Sequence, residues 1–377
     1  MRSINNNLLR YADLFSGCGG LSYGFEKNKA YKGILSVDNW KFAGEVYTLN
    51  LKSTPFQLGD LHDKKFQDKV VSSLKGKYDL LIGGPPCQGF STLGKRDANC
   101  IKSSLVDAFI EIAVKTNPPI ILMENVRGFK SKKHPLGGLY PERIKSNLQN
   151  GRVKYPYYVH EFLLNTLDYG LAQTRIRYFM IAVRSDLEDR LSVIDKFKAH
   201  LIKSRAKKQK ILKDVIFDLP EIGPGEGSQK FIVTRKKFIH NHQSLNHTKE
   251  LINRLKYVPV GGGLLDVPQR LLTPHLKRMK AGAYGNGGHV KNIYGRLSWQ
   301  EPCGTIIAGV DKITCGRYVH PEHNRLLTPR ECARIQSFPD SFIFTGGLVT
   351  QYFLIGNAVP PKISTLLSQC ILKSIKE

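Results

Sequence analysis

Residues 9–27 read LRYADLFSGCGGLSYGFEK, and this stretch decides the fold. Residues 9–15 form a short apolar run that predicts a β-strand. Residues 16–20 predict a glycine-rich turn, and residues 21–27 have the pattern of a helix. Glycines in this position let the backbone approach a ligand at the carboxyl end of a strand. The spacing differs from the dinucleotide pattern G-x-G-x-x-G, so a structural turn and a nucleotide-type site are both open.

The same alternation of apolar runs with amphipathic stretches continues through the first half of the chain. Residues 120–123 are wholly apolar, which is typical of a central strand in a parallel sheet. Further strands are predicted at 33–37, 78–82 and 178–183, and helices at 41–51, 104–115, 328–336 and 361–376. The pattern predicts an α/β fold built on a Rossmann-like sheet.

The charge of the chain indicates an anionic partner. Its 377 residues contain 57 Lys and Arg against 31 Asp and Glu, a formal net charge of +26. This excess favours DNA, RNA or an acidic membrane surface, and no convincing basic amphipathic helix supports the membrane. No apolar run approaches the 18 residues of a membrane span, and we expect no secretory signal.

Cysteine usage argues against two kinds of stabilised scaffold. The chain has seven cysteines, an odd number, and no C-x-x-C pattern. A disulfide framework and the common zinc sites are therefore not expected. We predict a cytoplasmic protein that needs no metal.

The regular pattern weakens after about residue 185. Residues 185–288 contain 20 Lys and Arg against 10 Asp and Glu, with two glycine clusters and little periodicity. This region predicts a second, smaller, irregular and basic domain. We place one domain at 1–187 plus 351–377, and a second domain with its hinge at 188–350.

Two other strand ends carry residues of chemical interest. Cys87 follows a predicted strand and two prolines that stiffen the backbone. A thiolate presented there suits a nucleophile, and a turn with a packed cysteine is the alternative. Glu124 follows the apolar run 120–123, where a carboxyl can hold or donate a proton. Arg175 and Arg177 alternate just before another predicted strand.

Taken in chain order, these segments closely resemble the cytosine-C5 DNA methyltransferases of the bacterial, restriction-modification type. The matching motifs are DLFSGCGG at 13–20, PPCQ at 85–88, ENV at 124–126, QTRIR at 173–177 and GNAVP at 356–360. RLSW at 296–299 and LTPRECAR at 327–334 match further blocks. The resemblance covers residues 10–184 and 290–365, and residues 185–289 occupy the position of the family's variable target-recognition region. It therefore implies that the domain at 1–187 plus 351–377 is catalytic and cofactor-binding, and that the domain at 188–350 is a target-recognition domain with its hinge.

The resemblance implies transfer of a methyl group from S-adenosylmethionine to C5 of a flipped-out cytosine, within a short specific sequence of duplex DNA. Cys87 is implied as the nucleophile that adds to C6 of the base, and Glu124 as the group that protonates N3. Arg177 matches the arginine that contacts the cytosine O2. Arg175 is grouped with these catalytic residues and is expected to position the loop.

The same resemblance implies a set of cofactor-binding residues. Phe15 would stack on adenine, Asp38 would bind the ribose hydroxyls and Asp60 would accept from the adenine amino group. Asn357 and Val359 would close the methionine pocket, which places the terminal helix back against the first strand. The full set is Asp13, Phe15, Gly17, Gly19, Gly20, Asp38, Asp60, Pro85, Asn357 and Val359.

DNA contacts are expected in two places. Residues 88–96 would form the loop that closes over the flipped base, with Gln88, Ser91, Lys95 and Arg96 facing DNA. In the middle region, candidates by chemistry alone are Arg235, Asn241, His242, Gln243 and Asn246. His240, His242 and His247 have no partner cysteines, and we expect polar surface or DNA-facing residues rather than metal ligands.

Two alternatives stay open. A branch of the family methylates tRNA, but the basic middle region favours duplex DNA. A catalytically silent, DNA-binding or regulatory relative has no need for Cys87, Glu124, Arg175 and Arg177 together. We expect a monomer in the cytoplasm, associated with the nucleoid, with a cognate restriction endonuclease as a separate partner outside any stable complex.

Overall fold

The computed structural model describes residues 8–86, 104–150, 153–187, 190–234, 237–282 and 290–377. The chain divides into two compact units. Unit 1 consists of Met1–Tyr169, Ile176–Ala206 and Val359–Glu377, and unit 2 consists of Gly170–Arg175 and Lys207–Ala358. The chain passes from unit 1 to unit 2 after residue 206 and returns to unit 1 after residue 358. The predicted domain boundaries follow residues 187 and 350. The assignment of target recognition to the second part stays a prediction.

Unit 1 is built on a seven-stranded sheet with the order β3-β2-β1-β4-β5-β7-β6. Its strands are β1 (Leu9–Leu14), β2 (Tyr31–Asp38), β3 (Phe56–Leu58), β4 (Leu80–Gly83), β5 (Ile120–Val126), β6 (Tyr157–Asn165) and β7 (Ile176–Arg184). Neighbouring strands are parallel except at β7, which is antiparallel to both β5 and β6. The predicted α/β fold with a mostly parallel sheet is confirmed.

The helices of unit 1 pack in two groups. They are α1 (Gly20–Glu26), α2 (Lys41–Asn50), α3 (Lys64–Leu74), α4 (Ser104–Thr116), α5 (Tyr140–Gln149), α6 (Arg190–Lys203) and, at the C-terminus, α12 (Pro361–Lys376). Helix α4 packs against α3 and α5, whereas α12 packs against α1 and α6. The apolar residues of β4 and β5 are buried, as expected for central strands covered on both faces.

The C-terminal helix returns to the start of the chain through hydrogen bonds as well as packing. Ser364 Oγ accepts from the Gly24 N–H at 2.9 Å, and Ser368 Oγ donates to the Gly24 carbonyl at 3.0 Å. Tyr31 donates its hydroxyl to the Ser368 carbonyl at 2.8 Å. The terminal helix thus lies on α1, the helix that directly follows the first strand.

Unit 2 has little regular structure among its described residues. It contains a two-stranded antiparallel sheet of β8 (Gly227–Thr234) and β9 (Lys237–Gln243). Its helices are α7 (Lys213–Ile216), α8 (Lys249–Leu255), α9 (Pro274–Lys280), α10 (Pro329–Ile335) and α11 (Leu348–Asn357). The Thr328 side chain caps the start of α10, and the Glu331 carboxylate accepts a hydrogen bond from the Thr328 N–H at 2.7 Å. Unit 2 is therefore smaller than unit 1 and irregular, as predicted for the second domain.

No helix within the described residues is long and apolar enough to cross a bilayer.

Candidate active site

One edge of the unit 1 sheet gathers the segments that the motifs single out. Parallel pairing brings the carboxyl ends of β1, β2, β4 and β5 to that edge. Because β7 runs the other way, its first residues lie at the same edge, where Arg177 pairs with Val126. In open α/β sheets, ligands bind outside the carboxyl ends of the strands.

Glu124 and Arg177 form an ion pair at this edge. Glu124 lies opposite Phe179 in the β5–β7 ladder and Arg177 lies opposite Val126, so alternation puts both side chains on one face. Arg177 Nε is 3.2 Å from Glu124 Oε1. The Glu124 side chain is 13% exposed and the Arg177 side chain is 15% exposed, so the pair is largely shielded and still reachable from solvent.

The end of β4 is shaped around the Glu124 carboxyl. A Cβ on Gly84 would lie 3.2 Å from Glu124 Oε2, which is closer than a side chain there could comfortably sit. On the neighbouring position of β5, Asn125 donates Nδ2 to the Pro85 carbonyl at 3.4 Å. The Gly84–Pro85 backbone is therefore held beside Glu124, and the chain continues from it into Pro86 and Cys87.

The glycine-rich turn after β1 is tied to the end of β2. Gly17 donates its N–H to Asp38 Oδ2 at 2.8 Å, and Trp40 donates its N–H to Asp38 Oδ1 at 2.9 Å. Burial raises the pKa of Asp38, and these backbone hydrogen bonds oppose the rise. Gly19 precedes α1 with φ of 91°, a left-handed conformation that favours glycine.

Two further predicted cofactor residues adjoin this turn. Phe15 is half-buried and has φ of 61°, a costly backbone conformation for a bulky residue and one that clusters at functional sites. Asp60 is exposed and follows Gly59, whose N–H donates to the Asp38 carbonyl at 3.0 Å. The loops after β1, β2 and β3 are thus joined through Asp38.

Asp13 has a different environment from the other predicted cofactor residues. It is fully buried, and burial raises its pKa to about 8 although the Ser22 hydroxyl donates to it at 2.5 Å. Ser22 in turn accepts from the Tyr47 hydroxyl at 2.9 Å. Its burial makes Asp13 a support of the first turn of α1, and leaves its carboxyl no surface to present to a ligand.

The remaining predicted cofactor residues occupy separate positions. Gly20 is the first residue of α1, and Pro85 and Val359 are buried in unit 1. Asn357 is exposed and ends α11 in unit 2.

Arg175 is buried in unit 2 and binds backbone carbonyl groups. Its guanidinium donates to the carbonyls of Ile306 at 2.7 Å, Gly356 at 2.9 Å and Ala358 at 3.1 Å. Two of these carbonyls flank Asn357 in sequence. Arg175 therefore positions the segment around Asn357, as expected of a loop-positioning residue. Grouping Arg175 with Arg177 as a catalytic residue implied a direct catalytic contact, and this geometry does not support such a contact.

Two glutamines extend this positioning, and sequence reasoning assigned neither of them a role. Gln173 accepts from the Ile306 N–H at 2.9 Å and donates to Gln336 Oε1 at 2.9 Å. Gln336 donates to the Ile355 carbonyl at 2.8 Å. The place of Gln173 in the QTRIR motif could have indicated a role for it. Nothing in the sequence indicates a role for Gln336, because it is only the last residue of a predicted helix.

We predict that Arg175→Met destabilises the protein by about 3 kcal/mol or more, because buried carbonyl groups lose a charged donor. Chemical denaturation followed by circular dichroism measures this change. Arg10→Met is the matched control, since the Arg10 side chain is 41% exposed and its surface ion pair should contribute no more than about 1 kcal/mol. An Arg175→Met protein as stable as wild type but inactive would instead place Arg175 at the reacting base.

Two of the proposed base-reading residues are buried, which corrects their assignment. Asn241 donates its amide to the Phe344 carbonyl at 2.7 Å and accepts from the Phe344 N–H at 3.0 Å. His242 is bonded through its two ring nitrogens to Thr328 Oγ1 and the Pro220 carbonyl. His247 Nε2 accepts from the Leu326 N–H at 3.1 Å. These side chains hold β9 and the following loop in place, so DNA cannot meet Asn241 or His242 here.

The other predicted DNA-facing residues divide into two groups. Gln243 is half-buried and accepts from Gln229 at 3.2 Å, and Asn246 is exposed. Cys87 and the predicted DNA contacts Gln88, Ser91, Lys95, Arg96 and Arg235 lie outside the described residues.

Comparison with known proteins identifies the family. The sequence profile described as C-5 cytosine-specific DNA methylase matches residues 9–375. The Type II methyltransferase M.DdeI of Desulfomicrobium norvegicum is 32% identical over 381 residues, covering 95% of this chain and 87% of that protein. M1.HphI of Haemophilus parahaemolyticus, also a Type II methyltransferase, is 28% identical over 368 residues, with coverages of 97% and 87%.

Solved structures agree on the fold. A prophage-encoded protein of E. coli, described as a DNA modification methyltransferase, aligns with a TM-score of 0.69 at 21% identity. The alignment covers 98% of this chain and 100% of that one. The profile match and the similarity to M.DdeI show that the chain belongs to the C-5 cytosine-specific DNA methylase family and is a DNA (cytosine-5-)-methyltransferase.

Proposed function

We propose that the chain methylates C5 of a cytosine flipped out of a short specific sequence in duplex DNA, using S-adenosylmethionine and a covalent bond between Cys87 and C6 of the base. The observation that carries this proposal is the Glu124–Arg177 pair, at 3.2 Å, beside the Gly84–Pro85 backbone that leads to Cys87. It supports a proton donor on β5 beside the backbone from which the chain continues to the proposed nucleophile.

The residue types suit the chemistry of a poorly reactive ring. The Cys87 thiolate would add to C6 while Glu124 donates a proton to N3, so that C5 becomes enamine-like and nucleophilic. After methylation, a base takes the C5 proton, the C6–S bond breaks to release the Cys87 thiolate, and N3 returns its proton to Glu124, which restores the aromatic ring. Arg177 would orient Glu124 and hydrogen-bond the cytosine O2.

The glycine turn and Asp38 fit S-adenosylmethionine, which when bound supplies the methyl group as an electrophile on a sulfonium. Among the described residues, and apart from Gly17 and its two chain neighbours, no atom lies within 4 Å of a Cβ position on Gly17, so a ligand can approach the backbone there. The Asp38 carboxylate accepts backbone N–H groups from Gly17 and Trp40, and it would also accept a hydrogen bond from a ribose hydroxyl. Phe15 and Asp60 would contact the adenine ring and its amino group.

Duplex DNA is the proposed substrate of this site. The net charge of +26 supports salt-dependent attraction to phosphates, and residues 88–96 would close over the extruded base. A monomer would act on each strand in turn, near the nucleoid. The Type II names of the relatives support a cognate restriction endonuclease as a separate partner.

Bisulfite sequencing of plasmid DNA from cells that express the chain tests this proposal. We expect protected cytosines at one short motif, and none in cells with empty vector. Soluble protein with no protected cytosine in plasmid DNA would contradict the proposal. In that case, methylation of total tRNA by the purified protein would identify an RNA substrate.

A further inference from the structure

The β8–β9 ribbon of unit 2 carries an exposed apolar pair on one face. Ile232 lies directly opposite Phe238 in the antiparallel ladder, and the two side chains are 66% and 39% exposed. Cross-strand neighbours lie within contact distance of each other. They therefore form a defined apolar surface, rather than two scattered hydrophobic residues.

The ribbon is held firmly from its other side. Ile239 is buried, and Asn241 has φ of 64°, which breaks the strand alternation and turns its amide to Phe344. Arg330 donates Nε to the His240 carbonyl at 2.7 Å. The exposed pair is thus presented on a fixed scaffold and loses little conformational freedom when a partner binds it.

The charge of the ribbon selects the kind of partner. Residues 227–243 contain four Lys and Arg and no Asp or Glu. The Lys230 ammonium lies 4.3 Å from the centre of the Phe238 ring, so a cation adjoins the apolar pair. Two copies of a chain with a net charge of +26 repel each other when such ribbons meet. A polyanion can pair with the cations of the ribbon and cover its apolar surface at the same time.

We propose that the face of the ribbon with Lys230, Ile232 and Phe238 docks on duplex DNA. The inference rests on the proposed function, because it takes the duplex that carries the target cytosine as the partner. Ile232 and Phe238 would pack against sugars or base edges in a groove, and Lys230 would contact a phosphate. DNA grooves admit two-stranded ribbons, and apolar side chains insert at base steps in several DNA-binding proteins.

The test compares a ribbon variant with a matched surface variant in the full chain. Ile232→Ala combined with Phe238→Ala should raise the Kd for a duplex containing the target motif about tenfold, measured by fluorescence anisotropy. The kcat at saturating duplex should stay at the wild-type value, because neither residue touches the reacting base. Val349→Ala, at a 58% exposed position on α11 of the same unit, should bind like wild type.

Two single variants keep the test valid if the double variant folds poorly. Ile232→Thr retains strand propensity while removing apolar surface, and should also weaken binding. Lys230→Gln should lower the slope of log affinity against log salt by about one. The slope reports a phosphate contact, which a purely structural lysine would not change.

Three outcomes separate the explanations. Ribbon variants that bind duplex as tightly as wild type overturn the inference, as does a wild-type dimer that the double variant dissolves. A wild-type chain that methylates no duplex at all contradicts the proposed function instead.

Discussion

Replacing Cys87 with serine is expected to reduce methylation of the target cytosine by at least about 10³-fold, because a serine hydroxyl is a far poorer nucleophile than a thiolate at neutral pH. C5 of cytosine gains nucleophilic character only after C6 has been attacked. Losing the nucleophile therefore removes the whole pathway rather than one favourable contact. DNA binding should persist, since the thiol adds little binding surface.

Transfer of tritiated methyl groups to a duplex with the target motif measures this loss. Cys315→Ser is the matched control, because Cys315 is a free cysteine of intermediate exposure in unit 2. Its activity should equal that of wild type. A substantially active Cys87→Ser protein would contradict covalent catalysis by Cys87, even if methylation itself is established.

A duplex with 5-fluorocytosine at the target position tests the same step by a different measurement. Fluorine at C5 cannot leave as a proton does, so the bond between C6 and the cysteine should persist after methylation. Mass spectrometry should find a protein–DNA adduct that maps to Cys87 in wild type and is absent from Cys87→Ser. An adduct at another cysteine would reassign the nucleophile.

The central part of the fold could be predicted because its strands are buried on both faces. The apolar run at residues 120–123 lies within β5, and the run at 178–183 lies within β7. The edge strands β3 and β6 were not predicted. Strand β3 is mostly exposed and β6 is mostly half-buried, and such strands give no continuous apolar run.

The candidate site was predictable to the extent that strand ends determine it. Glu124 and Arg177 lie 53 positions apart in the sequence, and the antiparallel pairing of β5 with β7 brings them together. The partners of Arg175 could not be found this way. Its guanidinium meets carbonyls more than 130 residues away, and backbone carbonyls carry no residue-type signal.

For two polar residues of β9, the sequence-based prediction of DNA contact was wrong. Asn241 and His242 have the chemistry of base-reading side chains, and composition alone cannot tell such residues from buried polar anchors. The left-handed backbone of Asn241 allows Asn241 and the next residue, His242, both to point inward, against the alternation expected of a strand.

Replacing Glu124 with glutamine is expected to lower kcat by about 10²- to 10⁴-fold, the usual range for losing a general acid. Glutamine keeps the shape that fits beside Gly84 but has no proton to give to N3. Binding of S-adenosylmethionine, measured by calorimetry, should be unchanged. A fall in cofactor affinity as large as the fall in kcat would place Glu124 in the cofactor site instead.

The Arg177 partner makes this prediction sharper, because the two residues should act as one unit. Arg177→Met alone should also lower kcat strongly, since it removes the group that orients Glu124 at 3.2 Å. If the pair works together, adding Arg177→Met to Glu124→Gln should produce little further loss. Losses that multiply fully would mean that Arg177 acts independently of Glu124, for example only on the cytosine O2. The double-mutant cycle in single-turnover methylation therefore separates positioning of the acid from direct recognition of the base.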